Sequence, residues 1–423
     1  MGKKIRLGVL GATRGIDFGL IAAAQTLDME LAAVCDRFEP LLEKVRAALA
    51  EKGVQSAYFT DFDEMLRSDI DAVVIANNAT DHAPFAIRAL NMGKHVISEV
   101  LPMQTLSQAV ALAEAVQASG KVYRYAENYC AFRNNFEARL RYRAGEIGEL
   151  TYAEGDFYND CSGRWHLLTR GLRNHWRNFV PATFYCTHSI GPVVTATGLR
   201  PVRVTGAEIK CQDYMRARGA RSGSAAVELM EMENGAVFKS VHGNLKRPWV
   251  SRMCLTGTTG TLETNLGSGG PTIIRYTDNA AKTGFDTITP ALNAFHGLEL
   301  SPLVPSADAF QLKCFLGAIN GDAELSSWGI DIWTALDMAL PGFFAYLSIL
   351  DGGKPVEIPD FRLQSVRDSF RKDNRCCDPR LASGDELLPS YSRENIEIPE
   401  EVYEREQQLL MEALNNQFHL GMN

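Results

Sequence analysis

The chain has 423 residues and a formal net charge of −8 at pH 7, with 46% hydrophobic and 22% charged residues. This composition is typical of a globular protein, and the excess of acid argues against binding to nucleic acid or to an anionic membrane surface. No apolar run is long enough to span a bilayer. The first predicted strand starts within about four residues of the N-terminus, so we expect no signal peptide. We expect two domains.

The nine cysteines are scattered along the chain, and none of them forms a C-x-x-C pair or another spacing typical of zinc sites. The pattern does not suit a disulfide framework either. We therefore expect no metal site and a cytoplasmic location.

The first forty residues combine the elements of a dinucleotide-binding unit. Two apolar runs predict parallel strands at Lys4–Gly11 and Leu31–Cys35, with a helix at Ile16–Thr26 between them. Asp36 follows the second strand, about twenty residues after the glycine turn, as in the Rossmann arrangement. Such an acid accepts a hydrogen bond from the ribose 2′-hydroxyl of the cofactor, so the pattern predicts NAD.

The turn itself departs from the strict glycine pattern. Thr13 and Ile16 stand where G-x-G-x-x-G has its second and third glycines, and the motif alone is weak. Its backbone amides would still approach a pyrophosphate at the helix N-terminus. The predicted cofactor-binding residues of the turn are Gly11, Thr13, Arg14 and Gly15. Asp36 favours NAD over NADP, although Arg37 beside it could meet a 2′-phosphate.

Strands and helices alternate as far as residue 128. Further strands are predicted at Ala57–Thr60, Ile70–Asn77, Lys94–Glu99 and Val122–Glu127. Helices are predicted at Pro40–Gly53, Phe62–Leu66, His82–Met92 and Leu106–Ala118. A capping box at Thr105-x-x-Gln108 opens the last of them. The alternation predicts a doubly wound parallel sheet, and hence an NAD-binding Rossmann domain at residues 1–128.

The composition changes after Asn128 to apolar runs at hairpin spacing, which predict a mainly antiparallel sheet. Its predicted strands are Leu150–Tyr158, Val202–Ile209, Ala225–Met232, Ala236–His242, Val250–Gly257, Thr261–Asn265 and Thr272–Tyr276. Predicted helices are Phe136–Arg143, Ala307–Ile319, Asp331–Leu350 and Glu400–Gln417, with a long loop at Gly267–Pro305 and an irregular stretch at Asp360–Leu388. We predict a second domain at residues 129–365 and a C-terminal extension at residues 366–423.

Polar residues stand where the predicted parallel strands end. Ligands bind at the carboxyl edge of such a sheet, and five residues there are predicted to bind the cofactor: Asn77, Asn78, His82, Glu99 and Asn128. The Asn128 amide could equally hold a substrate hydroxyl. Each residue also has a structural explanation, as an Asx turn, a helix cap, a solvated strand end or a turn residue.

Two groups of residues are candidates for work on a substrate. Tyr185 and His188 are three residues apart, which predicts that they share one helix face. An imidazole there can take a proton from a sugar hydroxyl, or the histidine can simply pack on the sheet. Aromatic and basic side chains between residues 158 and 177 suit a pyranoside, or form a solvated surface loop. The predicted substrate-binding residues are Tyr158, Trp176, Arg177 and Asn128.

Apolar residues also lie on one face of the predicted second sheet, and that face has to be shielded from water by another part of the protein or by a second copy. Val227, Leu229, Val237 and Val241 would give an open sheet too large an apolar face for a monomer. We therefore expect a homo-oligomer, either a dimer or a tetramer.

At the run His95-Val-Ile-Ser-Glu99-Val-Leu-Pro102 the sequence resembles the Gfo/Idh/MocA oxidoreductases. The resemblance covers nearly the whole chain, in the segments Asn77–His82, Glu127-Asn128, Gly145–Glu149 and Gly352–Pro359 and at His188. It implies an N-terminal Rossmann domain that binds NAD and a C-terminal open antiparallel sheet with helices, which often builds a dimer.

One departure separates this chain from the typical member of that family. The family pattern has Glu-Lys-Pro after the fifth strand, with a lysine that helps to handle the hydroxyl proton, whereas this chain has Glu99-Val-Leu-Pro102. The run Tyr185-Cys-Thr-His188-Ser-Ile-Gly-Pro192 resembles the branch of NAD-dependent glycosidases of the α-N-acetylgalactosaminidase type, whose tyrosine and histidine are catalytic. The Trp176-Arg177 pair also resembles that branch, with a shorter spacing to Tyr185.

The resemblance implies an enzyme that oxidises a ring hydroxyl of a sugar or glycoside, expected at carbon 3. The hydroxyl proton would go to the His188/Tyr185 pair and the hydride to NAD. The resulting ketone would allow elimination of the aglycone, addition of water and return of the hydride. Two alternatives remain open: a sugar or inositol dehydrogenase that releases NADH, and a non-catalytic NAD-binding regulator.

Overall fold

The computed structural model describes residues 4–24, 27–267, 270–277, 286–290 and 306–416. Within these ranges the chain forms two sheets, one of six strands and one of nine. Each sheet carries helices. A second sheet after Asn128 agrees with the change of sequence pattern at that residue.

The first sheet is parallel throughout, with the strand order β3-β2-β1-β4-β5-β6. Its strands are β1 (Ile5–Leu10), β2 (Met29–Cys35), β3 (Ala57–Phe59), β4 (Ala72–Ile75), β5 (His95–Ser98) and β6 (Tyr123–Tyr125). The helices are α1 (Gly15–Ala23), α2 (Glu39–Glu51), α3 (Phe62–Arg67), α4 (His82–Asn91) and α5 (Leu106–Ser119). This order is that of a doubly wound dinucleotide-binding fold, and the prediction of a Rossmann domain is confirmed.

Local sequence explains where these elements begin and end. At the start of α5 the Thr105 side chain accepts from the backbone N–H of Gln108, and the Gln108 side chain accepts from the backbone N–H of Thr105, which confirms the predicted capping box. The helix ends at Gly120, whose φ of 62° lies in the left-handed region that glycine adopts at low cost.

The second sheet has the strand order β14-β13-β12-β11-β7-β10-β9-β8-β15. Its strands are β7 (Leu150–Tyr158), β8 (Pro201–Ile209), β9 (Ala225–Met232), β10 (Val237–Gly243), β11 (Val250–Gly257), β12 (Gly260–Gly267), β13 (Gly270–Thr277), β14 (Asp286–Ile288) and β15 (Val356–Glu357). All neighbours pair antiparallel except β7 and β10, which run parallel. The predicted mainly antiparallel domain is therefore confirmed.

Among the described residues, the helices that pack on this sheet lie on one of its faces. The helices after β6 are α6 (Arg133–Arg143), α7 (Trp165–Thr169), α8 (Thr187–Thr197), α9 (Asp213–Arg216), α10 (Ser306–Asn320), α11 (Ala323–Trp328), α12 (Ile332–Leu350), α13 (Gln364–Phe370) and α14 (Glu400–Asn416). Helix α8 lies so close to β7 that a Cβ on Gly155 would be 2.1 Å from the Ser189 carbonyl oxygen. Glycine therefore sets the approach of the helix that carries His188.

The opposite face of the sheet carries the apolar residues that the sequence analysis singled out. In the β9–β10 pair, Val241 stands opposite Val227, and Leu229 opposite Lys239. Leu229 is 52% exposed and Val237 is 42% exposed. Side chains alternate along a strand, so these residues share the face that the helices leave open.

Helix α10 belongs by sequence to the predicted second domain, yet it packs on the first. Its buried residues Leu312 and Phe315 join the cluster formed by α1, β1 and β4, which includes Ile16 and Val74. The hydrophobic core of the Rossmann domain therefore depends on a helix that lies far along the chain.

Two predicted irregular regions contain regular structure. The stretch Gly267–Pro305 includes β14, which pairs with β13, while residues 291–305 lie outside the described ranges. The stretch Asp360–Leu388 includes α13, and helix α11 had no predicted counterpart. Short elements such as these have too few periodic positions to reveal themselves in sequence.

The prediction that no apolar run is long enough to span a bilayer is wrong for one stretch, Ala323–Leu350, which has the length and composition of a membrane span. However, 72% of its most apolar window is buried inside the protein. Helix α12 in this stretch contacts β8 and α8 through Leu336, Ala345 and their neighbours. Core packing therefore accounts for its apolar composition.

Candidate active site

The glycine turn and Asp36 form the adenosine end of the candidate cofactor site. Gly11 has φ of 100°, and a Cβ there would lie 2.3 Å from the Ala76 carbonyl oxygen, so only glycine allows β1 to approach the end of β4. Asp36 is buried, and its carboxylate accepts from the backbone N–H groups of Ala12 and Phe38, both at 2.9 Å. Helix α1 begins at Gly15, directly after the turn, as a pyrophosphate site requires.

Three of the predicted residues around this end differ in their surroundings. Thr13 is exposed in the turn, and Arg37 is exposed beside Asp36. Arg14 is engaged within the protein: its guanidinium donates to Glu99 at 2.7 Å and to Asp308 of α10 at 2.5 and 2.7 Å. The structure therefore joins two predicted cofactor residues, Arg14 and Glu99, in one ion-pair network.

Glu99 ends β5 at the carboxyl edge of the sheet and is buried. Burial raises the pKa of its carboxyl group, and the Arg14 guanidinium opposes that rise. The paired carboxylate lies where a nicotinamide ribose is expected, so the placement suits the predicted contact.

The end of β4 contributes Asn77, Asn78 and His82 to the same edge. The Asn77 Oδ1 atom is buried and has no hydrogen-bond partner among the described residues, which suits a donor from a bound cofactor. Asn78 contacts Asp81 at 3.4 Å. His82 Nε2 is 3.2 Å from the Asn77 carbonyl oxygen, and burial lowers the pKa of His82 to about 4. His82 is therefore neutral near pH 7.

The centre of the candidate site is a buried pair formed by His188 and Glu127. Glu127 follows β6, and its Oε1 lies 2.8 Å from His188 Nδ1 in the first turn of α8. The carboxylate also accepts from the Thr187 hydroxyl at 2.5 Å and from the Tyr129 backbone N–H at 3.1 Å. Because a carboxylate only accepts, Nδ1 carries the proton and Nε2 keeps its lone pair for another donor.

Aromatic rings surround that imidazole. The ring centroids of Tyr129, Phe157 and Tyr185 lie 4.2, 4.7 and 4.8 Å from the centroid of His188. Trp249 donates from its indole nitrogen to the Tyr129 hydroxyl at 3.0 Å. His188 is 8% exposed. The rings fix the plane of the imidazole and exclude most water from it.

Tyr185 contacts His188 edge-on, but the predicted shared helix face is wrong. Helix α8 begins at Thr187, and Tyr185 lies in the turn before it. Burial raises the pKa of the Tyr185 phenol, and Arg177 partly opposes the rise. The phenol therefore stays protonated around neutral pH and acts as a hydrogen-bond donor.

Two of the predicted substrate residues extend this aromatic group. The Arg177 guanidinium lies 4.3 Å from the Trp176 ring centroid and 5.0 Å from that of Tyr185. Trp176 also packs in a cluster with Ala79, just after β4. The structure thus brings Trp176, Arg177 and Tyr185 to the edge where the two domains meet.

The other two predicted substrate residues differ from each other. Tyr158 is not brought to this group: it follows Phe157 on β7, so it faces the other side of the sheet, where its hydroxyl donates to Asp156 at 3.2 Å. Asn128 is half-buried directly after Glu127, and its position suits either the cofactor or a substrate hydroxyl. Across the part of the chain that the structure describes, no group of three or more His, Cys, Asp or Glu residues is arranged to hold a metal ion.

Sequence reasoning did not assign a role to several residues that the structure places here. Glu127 ends a parallel strand, and that position alone could have marked it as a partner for a buried histidine. Asp308 binds Arg14 across 294 residues, and Arg170 meets Asp36 across 134 residues. No local pattern could have revealed contacts at such separations.

Comparison with known proteins agrees with this arrangement. Residues 5–127 match the Gfo/Idh/MocA family model, described as an oxidoreductase family with an NAD-binding Rossmann fold. A glycosyl hydrolase family 109 protein of Solibacter usitatus is 24% identical over 394 residues, which cover 84% of this chain and 88% of that protein. An α-N-acetylgalactosaminidase of Shewanella oneidensis is 28% identical over 176 residues, covering 39% of this chain and 38% of that protein.

Among solved structures, levoglucosan dehydrogenase in complex with NADH and L-sorbose is similar, with a TM-score of 0.68. It is 18% identical and covers 85% of this chain and 100% of its own. A likeness at this identity shows the fold alone. Residues 5–127 are therefore similar to the Gfo/Idh/MocA oxidoreductases with their NAD-binding Rossmann fold, and the chain shares the overall fold of this solved structure.

Proposed function

We propose that the protein uses NAD to oxidise a ring hydroxyl of a sugar or glycoside, expected at carbon 3, as a transient step in cleavage of the glycosidic bond. The observation that carries the proposal is the His188–Glu127 pair beside Tyr185, at the carboxyl edge of the Rossmann sheet. The names of the family 109 relatives support a glycoside as substrate.

The residues at the adenosine end fit a dinucleotide. The Gly11 turn has no room for a side chain, Asp36 is placed for a ribose hydroxyl, and Asn77 Oδ1 lacks a partner among the described residues. NAD supplies the hydride acceptor when bound, and returns the hydride later in the cycle. We propose NAD rather than NADP because the Asp36 carboxylate opposes a 2′-phosphate.

The protein's own groups handle the proton. His188 Nε2 accepts the hydroxyl proton of the substrate, and Glu127 stabilises the positive charge that this transfer places on the imidazole. Val100 stands where the family pattern has a lysine. Its buried aliphatic side chain cannot accept the hydroxyl proton. The protonated Tyr185 phenol donates a hydrogen bond to a substrate oxygen beside the imidazole.

This arrangement differs from that of most glycosidases, which place two carboxylates on either side of the scissile bond. Here one carboxylate, Glu127, is fully buried behind the histidine and the other, Glu99, is paired with Arg14. An oxidation that makes the neighbouring C–H acidic gives a route to the same cleavage that needs no flanking acid pair.

The test is a panel of aryl glycosides with NAD present and absent, following aglycone release and absorbance of NADH together. We expect NAD-dependent release of the aglycone without net NADH. Stoichiometric NADH with a keto sugar and no aglycone would instead show a sugar dehydrogenase. NAD binding without turnover of any sugar would indicate a regulator, although the intact Tyr185 and His188 argue against it.

The open face of the second sheet supports a homo-oligomer as part of the proposal. Leu229 and Val237 are exposed diagonal neighbours on the adjacent strands β9 and β10, and burying apolar area contributes about 25 cal/mol per Å² before the costs of association. We expect light scattering at micromolar concentration to give a multiple of 46.7 kDa. A Leu229→Glu variant should shift the mass toward the monomer, while a Leu363→Glu variant, equally exposed away from the sheet, should not. A wild-type mass of one chain would contradict the expectation.

A further inference from the structure

A cation from the second domain reaches the acid that is expected to bind the cofactor ribose. Arg170 directly follows α7, and its Nη2 atom lies 3.4 Å from Asp36 Oδ2. Its guanidinium also lies 5.1 Å from the ring centroid of Phe38, in the loop after β2. The two domains thus meet at the adenosine end of the cleft as well as at His188.

Asp36 retains acceptor capacity in this arrangement. A carboxylate has about four lone-pair positions, and Ala12, Phe38 and Arg170 donate to its two oxygens. Arg170 keeps donors as well, because a guanidinium has five N–H groups in a fixed plane, and its side chain is 26% exposed. A ribose hydroxyl can therefore donate to Asp36 and accept from Arg170 at the same place.

The C-terminal extension holds the segment that begins at Arg170. Gly171 has φ of 63°, and a Cβ there would lie 2.4 Å from the backbone nitrogen of Gln407 in α14. The Gln407 side chain donates to the Gly171 carbonyl oxygen at 3.2 Å. Two residues later, Arg173 donates to the Ile398 carbonyl oxygen at 3.2 Å and to Glu400 at 3.1 Å.

Helix α14 is itself anchored in the second domain. Tyr403 is 1% exposed, and its hydroxyl donates to the Gly219 carbonyl oxygen at 3.0 Å. Arg218 pairs with the buried Glu406 at 3.0 Å. The position of α14 is therefore fixed independently of Asp36, so the helix can act as a support for the segment.

We propose that Arg170 is a cofactor-binding residue, and that α14 holds it against Asp36 over the adenosine ribose. The inference rests on the NAD-dependent function proposed above and adds a residue and a supporting element that the glycine motif does not contain. It gives the C-terminal extension a part in holding the cofactor. At the other end of the same segment, Trp176 and Arg177 reach Tyr185, so one segment borders both ends of the cleft.

The test measures the dissociation constant of NAD by fluorescence titration, without any sugar. We expect Arg170→Met to raise it roughly tenfold or more, as for the loss of a hydrogen bond that involves a charged group, and Arg170→Lys to give a smaller rise. The matched control is Arg88→Met. Arg88 also pairs with one acid, Asp63, and lies over aromatic rings, those of Phe62 and Phe85, but on the outer surface of the Rossmann domain. The Arg88→Met variant should leave the dissociation constant of NAD unchanged.

The support from α14 is tested with Tyr403→Ala, after circular dichroism has shown that the variant is folded. It should weaken NAD binding when Arg170 is present and add little in the Arg170→Met background. If that variant does not fold, Gln407→Ala replaces it, with a smaller expected effect.

Unchanged or tighter NAD binding in Arg170→Met would overturn the inference, because Arg170 would then be an interdomain ion pair that competes with the ribose. A wild-type protein that binds no NAD would overturn the proposed function and this inference together. Additive losses in the Tyr403→Ala/Arg170→Met double variant would remove the part assigned to α14.

Discussion

Replacing His188 by alanine is expected to lower turnover by roughly 10²–10⁴-fold, the usual loss when a general base is removed. The loss equals about 3–5 kcal/mol of activation barrier. The expectation follows from the buried contact between His188 Nδ1 and Glu127, which leaves Nε2 to accept the substrate proton. It also follows from Val100, which stands where the Gfo/Idh/MocA pattern that the sequence resembles has a lysine. Steady-state kinetics with the glycoside found in the screen would measure it.

The affinity for NAD should change little in this variant, because the residues at the adenosine end are untouched. The matched control is His95→Ala. His95 is a half-buried histidine at the opposite, amino-terminal end of β5, where its Nδ1 accepts from the Val122 backbone N–H. That variant should keep near-normal turnover. Near-normal turnover in His188→Ala would instead mean that His188 is a packing residue.

Glu127→Gln is expected to have the second large effect, a loss of turnover of roughly 10²–10⁴-fold. Glutamine keeps the volume but can turn its NH₂ toward Nδ1, which stabilises the wrong imidazole tautomer, and it cannot stabilise the charged ring. Because Glu127 acts through His188, the Glu127→Gln/His188→Ala double variant should be little slower than His188→Ala alone. Kinetics on the three variants, with NAD titrations for each, would measure this.

Glu208→Gln provides the comparison for burial alone. Glu208 on β8 is also a buried carboxylate, away from His188, and it accepts from the backbone N–H of Gly223, just before β9, and from that of Ser392 in the C-terminal extension. Its replacement should lower thermal stability without a comparable loss of turnover. If Glu127→Gln and Glu208→Gln slowed the enzyme equally, or if the Glu127 and His188 losses multiplied, the positioning role would be wrong.

The sequence predicted the first domain well because most of its strands are continuous buried apolar runs that alternate with helices and are separated by clear turns. Strands such as β1 and β4 are continuous apolar runs, and the capping box of α5 is a local signal. Their boundaries were within a few residues. Helix α13 and strand β14 escaped because seven and three residues give too little periodicity to stand out.

The sequence identified several residues of the candidate site, but it did not predict which of them contact each other. Spacing drew attention to Tyr185 and His188, but it placed both on one helix, whereas Tyr185 lies in the turn that precedes α8. The contact between Glu127 and His188 forms only where the two domains meet. Tyr158 faces away from the site because side chains alternate between the two faces of β7. Side-chain direction and long-range contacts are set by tertiary packing, which a single sequence does not report.

The position of α10 has a consequence for how the protein is made. The N-terminal domain needs Leu312 and Phe315 to close its core and Asp308 to neutralise Arg14. At a synthesis rate of roughly 5–20 residues per second, about ten to forty seconds separate the emergence of β6 from that of α10. We expect the nascent first domain to expose, during that interval, apolar residues that α10 later covers, such as Ile16 of α1. The first domain should therefore finish folding only after most of the second domain has been synthesised.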